Sequence, residues 1–155
     1  MEEEETSSLS ISFPQLPPSE NKIRIIRVIR GRPAGMAYTK DATNFKKDFK
    51  KFALGEMASK IVNFSKGHTL KSTYRVHISL HFTEDQIINK GWPKTNTYFK
   101  KMDVGNRRKL LEDCLAEVTG IDDMYTFDLR MTKKITAGEP FTLISIVRIT
   151  DEFEV

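Results

Sequence analysis

The segment Lys100-Lys101-Met102-Asp103-Val104-Gly105-Asn106-Arg107-Arg108-Lys109 is followed within fifteen residues by Gly120-Ile121-Asp122-Asp123. Isolated carboxylates here stand among clustered Lys and Arg at the mouth of a helix, a combination suited to holding a divalent cation against a phosphodiester. Leu110, Leu111, Cys114, Leu115 and Val118 recur at helical intervals and predict one buried face over residues 106–118. Asn106, Lys109 and Asp113 then share another face, at offsets of three and seven residues. Asp103 precedes this helix, where its carboxylate suits a cap or a metal ligand. Asp122 and Asp123 follow it, in the turn into the alternating run Tyr125, Phe127, Leu129, Met131. A strand there that packs back beside the helix returns the second acidic pair to the first motif.

The elements that must position these residues follow from pattern. At 155 residues with 39% hydrophobic content, the chain predicts one globular domain over 16–155 behind an acidic, Ser-rich leader over 1–15. The leader reads as flexible, although Leu9, Ile11 and Phe13 alternate as a strand would. Residues 23–30 are dense in β-branched side chains and read as a strand, with 31–35 as a turn. A helix capped by Thr39 or Asp41 is expected to run to about residue 61, with Phe45, Phe49, Phe52 and Ile61 apolar. Val76, Ile78, Leu80 and Phe82 put a clear strand over 74–82. Residues 83–101 read as a long basic loop, and strands are expected over 124–132 and 141–149. Together these give an α+β domain, a mixed sheet of about four strands with two helices packed on it.

Charge divides along the chain. Residues 22–109 hold 21 Lys and Arg against 6 Asp and Glu, a net of +15, whereas residues 110–155 hold 4 against 10. Such a block suits a polyanion partner, because each cation placed on a phosphate releases counterions. Lys46, Lys50, Lys90, Lys94, Lys100, Lys101, Arg107 and Arg108 are the candidate DNA-contacting residues, against the plainer reading of a solvated helix surface for Lys46 and Lys50. Trp92 is either a base-stacking ring or packing for its own loop. His77 and His81 lie on a strand about 13 Å apart, too far to share a zinc ion. Cys114, the lone cysteine, falls on the apolar helix face and reads as core. No segment has the pattern of a secretory signal or a membrane-spanning helix, so a cytoplasmic protein with no membrane partner is expected.

The same residues carry a resemblance. RusA Holliday-junction resolvases share the pattern D-x-D-N-x-x-K-x-x-x-D-x-L, then a D-D pair opening a strand. This chain is similar at Asp103, Asn106, Lys109, Asp113 and Leu115, then at Asp122-Asp123. Leu16-Pro17-Pro18-Ser19-Glu20-Asn21 resembles the family's P-P-S-x-N opening, and Tyr38-Thr39-Lys40 the start of its first helix. Gly105 stands where the family has its second carboxylate. The resemblance implies a RusA-like fold and a homodimer that nicks four-way DNA junctions in pairs with Mg²⁺, for which Mn²⁺ can substitute. It makes Asp103, Asp123 and Lys109 catalytic, with Asp103, Asp123, Asp122 and Asp113 as metal ligands and Asn106 supporting. It also implies a bacterial or phage-infected cytoplasm. Two rivals remain open: a branched-DNA-binding protein that lost cleavage with its second carboxylate, and a module that binds RNA or an acidic protein.

Overall fold

The structure, a computed structural model, describes residues 7–19, 23–102 and 104–149, without the side chains of Arg24, Ile26, Arg27, Ala34 and Asn106. Strand β1 (Ser8–Phe13) alternates with Leu9, Ile11 and Phe13 inward and Ser8, Ser10 and Ser12 outward. Its partner is β6 (Phe141–Ile149), antiparallel, and β6 pairs antiparallel in turn with β4 (Thr73–Phe82). Strand β5 (Thr126–Ile135) lies parallel to β4 on the other side, giving a four-stranded mixed sheet in the order β1-β6-β4-β5. The fold is α+β, as the sequence pattern implies.

One face of the sheet is apolar and carries the helices α1 (Lys40–Glu56), α2 (Ala58–Lys66) and α4 (Gly105–Thr119). Phe13 anchors the seam with α1, its ring 5.4 Å from Phe45, 5.2 Å from Phe49 and 5.4 Å from Phe52. Leu110, Leu111, Cys114, Leu115 and Val118 are all buried, the stripe that the helical spacing predicted. Burial pushes the Cys114 thiol up to about 12, so this cysteine is packing rather than chemistry. On the opposite face the side chains pair across strands: Arg75 with Asp128 at 2.8 Å and His77 with Thr132 at 2.8 Å.

Five expectations are corrected. The flexible leader over 1–15 gives way to β1 at residues 8–13, because three alternating apolar side chains complete the core; residues 1–6 lie outside those described. The first helix is two helices. The backbone leaves helical geometry at Met57 (φ −126°, ψ 15°), two residues after the poor helix former Gly55, and this re-aims Ile61 and Phe64 into the core. The turn placed at 31–35 is tighter. Arg30 (φ 52°) and Gly31 (φ 75°) alone make it, a two-residue turn with both φ positive, and it joins β2 (Arg24–Ile29) to an unforeseen β3 (Arg32–Tyr38). The long loop over 83–101 is structured. Thr83 and Gln86 form a capping box on the short α3 (Glu84–Ile87), and Ile88 bridges Phe99 in antiparallel fashion.

The last strand correction lies beside the motif. Asp123–Tyr125 is a 3₁₀ turn and β5 begins only at Thr126. A register shift then sets Tyr74 opposite Thr126 and Arg75 opposite Asp128, so Phe127 is the extra residue of a β-bulge. Phe127 is exposed, while Leu129 and Met131 keep to the core side.

Candidate functional site

Helix α4 brings the site together. Lys109, in its second turn, points its ammonium between two carboxylates, Asp113 one turn onward at 3.3 Å and Asp123 at 3.0 Å. Asp113 follows from helical spacing, whereas Asp123 requires the chain to reverse. That reversal comes from Gly120, whose left-handed backbone (φ 70°) ends the helix and lets its amide bond the Ala116 carbonyl. Buried Ile121 then fixes the exit, and Asp122 accepts from the Met124 amide at 2.9 Å to close the 3₁₀ turn. The second acidic pair thus returns to the first motif.

Electrostatics follow the geometry. The hydrogen bond from Lys109 holds the Asp123 carboxyl below the usual carboxylate range, and the bond to Asp123 holds the Lys109 ammonium above its usual value. All three side chains are 31–42% exposed, so solvent screens the attraction. The Tyr38 hydroxyl donates to the Asp113 carboxylate from the end of β3, fixing that side chain from a second direction. Glu112 sits beside them with its side chain 14% exposed, 3.8 Å from Arg108, and burial raises its carboxyl above the usual range.

Tyr38 as a partner of Asp113, and Glu112 as a carboxyl at this site, were not foreseen from sequence. Glu112 had a signal, since it stands three residues from Lys109 on the same helix. The Tyr38 contact spans 75 residues and had none.

The remaining expected residues divide. Asp103 lies outside the described residues, as does the Asn106 side chain. Arg107 is corrected as a DNA contact: it is 7% exposed, with Nε donating to the Pro18 carbonyl at 3.1 Å and the guanidinium 5.4 Å from the Phe82 ring. It pins the start of α4 to the Pro-rich segment. Lys50 and Lys46 reach Glu117 on α4 at 3.2 and 4.0 Å, bridging α1 to α4. Lys90 pairs with Asp85 at 3.2 Å and Lys100 donates to the Asp85 carbonyl at 2.7 Å. Arg108 is half exposed, and Lys94 and Lys101 are exposed.

The carboxylates are the hard oxygen donors that Mg²⁺ takes. Among the described residues, however, no three His, Cys, Asp or Glu gather into a metal-holding group. Lys109 already engages both Asp113 and Asp123, and Asp122 spends one oxygen on its turn. The donor chemistry fits, but the ligand set is incomplete without Asp103. Among the described residues no helix is long and apolar enough to cross a membrane.

No protein-family model matches this chain, and no curated protein does. Among solved structures it is similar to 2C-methyl-D-erythritol 2,4-cyclodiphosphate synthase from Plasmodium vivax, at 11% identity and a TM-score of 0.30, over 91% of this chain and 93% of that one. A CDP-bound 2C-methyl-D-erythritol 2,4-cyclodiphosphate synthase gives 10% identity and a TM-score of 0.29, over 90% and 96%. Likenesses at this level support neither a shared architecture nor a shared activity.

Proposed function

We propose that this chain is a Mg²⁺-dependent, structure-specific endonuclease that cuts four-way DNA junctions in pairs as a homodimer. The observation that carries the reading is the 3.0 Å contact of Lys109 with Asp123, which brings Asp123 of the second acidic pair back to the lysine of the RusA-like pattern. Asp103 and Asp123 would hold Mg²⁺ or Mn²⁺, and the metal would supply an activated water and offset charge on the phosphodiester. Lys109 presents a point charge to the phosphate as negative charge develops there. Asp113, held by Tyr38, fixes the direction of the Lys109 stem, and Asp122 shapes the turn that presents Asp123. Lys94, Lys101 and Arg108 are exposed cations for the phosphate backbone. A homodimer suits the substrate, because a junction with near two-fold symmetry calls for two sites related by a dyad.

One specific observation favours a second reading, a branched-DNA-binding protein without cleavage. Gly105 supplies no carboxylate, and the Lys109 ammonium engages both Asp113 and Asp123. Nicking of a synthetic four-way junction in Mg²⁺, against EDTA and against Asp123→Asn, separates the two. Junction nicking in wild type that disappears in EDTA and in the variant is expected of the enzyme. Tight junction binding with no nicking in Mg²⁺ or Mn²⁺ sinks it in favour of the binding protein. Preference for single-stranded RNA over the junction would sink both.

A further inference from the structure

A second surface carries nucleic-acid chemistry that the Lys109–Asp123 centre does not use. Between α3 and α4 the chain doubles back on itself: the Asn89 amide bonds the Tyr98 carbonyl at 2.7 Å and the Lys100 amide bonds the Ile87 carbonyl at 2.8 Å. This pinned tongue holds three aromatic rings in a row. Trp92 meets Tyr98 at 6.1 Å and Tyr98 meets Phe99 at 5.0 Å, both edge to face. The three are nonetheless 50%, 45% and 59% exposed, so their packing against one another leaves much ring surface in water. Large exposed aromatics fixed in place, rather than buried under the tongue, are the feature that needs a partner.

The chemistry around them says what that partner is. Phe99 lines a cleft of about 290 Å³ at the carboxyl ends of the parallel strands β4 and β5, floored by Ile87 and Ile135 and rimmed by Lys100, Lys133 and Lys134. Such strand ends are a preferred place for ligands in sheets with parallel pairs. Lys133 and Lys134 are exposed and form no ion pair with the described residues, and burial, followed by the charge of Lys134, holds the His81 imidazole below its ordinary value. Ring faces beside unneutralised cations match a ligand whose planar groups alternate with phosphates. In a duplex the base faces are covered by their neighbours, so only an unpaired strand offers both at once.

We propose that the Trp92–Tyr98–Phe99 tongue, with Lys100, Lys133 and Lys134, binds an unpaired segment of DNA, bases on the rings and phosphates on the lysines. The choice of DNA over RNA rests on the function proposed above; the rest stands on the surface alone.

Trp92 is the single tryptophan of the chain, so its fluorescence reports this surface directly. Titrating the intact protein with oligothymidylate should quench it saturably, with affinity that falls as salt rises. Phe99→Ala should weaken binding about tenfold or more, and Phe99→Tyr should retain most of it. The exposed pair Lys133→Gln/Lys134→Gln, which leaves the core untouched, should weaken binding and flatten its salt dependence. Several results would overturn the proposal: no quenching, equal affinity for a blunt duplex of the same length, or displacement by polyglutamate as readily as by oligothymidylate. Wild-type affinity in both the Phe99→Ala and the double lysine variants would do so too, and tighter binding of oligouridylate would overturn the choice of DNA. Asp123→Asn should quench as wild type does. Quenching without any junction nicking therefore sinks the nuclease alone, and nicking without quenching sinks the tongue alone.

Discussion

Lys109 donates to Asp123 at 3.0 Å across fourteen residues of sequence, most of them the remainder of α4. An ion pair at the surface of a small domain contributes little stability, and a pair built by reversing the chain behind a helix is therefore a poor structural device. On the function proposed, its worth lies in holding a cation and a carboxylate at a fixed separation.

The pair should be weak in stability and strong in activity. Both side chains are about 40% exposed, so Asp123→Asn should cost no more than about 1 kcal/mol at neutral pH. The sign with pH follows from the shifts. Asp123 is held below its unfolded value of about 3.9, so its contribution is present above that pH and fades as pH falls through the lower folded value. Lys109 is held above its unfolded value of about 10.4, so its contribution is full below that pH and is lost as pH rises through the folded value. Urea unfolding of wild type and Asp123→Asn at pH 7 and pH 3 should show the gap at pH 7 narrowing at pH 3. A gap above about 3 kcal/mol at pH 7 would make the pair structural instead.

Gly105 is the first residue of α4 and sits outside the set of described glycines with positive φ, which are Gly31, Gly35 and Gly120. A side chain there meets no backbone strain of the left-handed kind. Gly105→Asp should therefore be neutral or stabilising by about 0.5–1 kcal/mol, since an acidic residue in the first turn faces the positive end of the helix dipole. If a metal binds here, the same change should raise the nicking rate at limiting Mg²⁺, with Gly105→Asn as the uncharged control. A nicking rate for Gly105→Asp at or below that of Gly105→Asn would place this residue away from the metal.

Phe13 should prove as structural as any residue of the sheet centre. Its ring touches Phe45, Phe49 and Phe52, so Phe13→Ala should cost about 3–5 kcal/mol in urea unfolding. A cost under 1 kcal/mol would return β1 to the status of a dispensable leader.

Legibility tracked how local each signal was. The alternation of Val76, Ile78, Leu80 and Phe82 located β4 to within a residue, and β6 lies where its pattern placed it. The α4 stripe follows from its spacing, whereas the basic context of Arg107 suggests a DNA contact that the structure does not bear out. Its helical phase, three and four residues before Leu110 and Leu111, already put it on the buried side. β1 alternates plainly, but its acidic, Ser-rich surroundings favour a flexible leader over the strand alternative, and its partner stands some 130 residues onward. β3 carries Pro33 and Gly35, which read as turn residues, and only pairing with β2 makes it a strand. The Tyr38–Asp113 contact had no local signal at all, being made by tertiary packing.

The Lys109–Asp123 pair is proposed to mark a metal-dependent phosphodiester site. Diffraction from a crystal soaked in Mn²⁺, recorded where manganese scatters anomalously, tests it most directly. An anomalous peak at ligand distance from the Asp123 carboxylate, shared with Asp103 and absent in Asp123→Asn, is the result predicted. Crystals that hold Mn²⁺ elsewhere, or nowhere, while Lys109 stays bonded to Asp123 would contradict it.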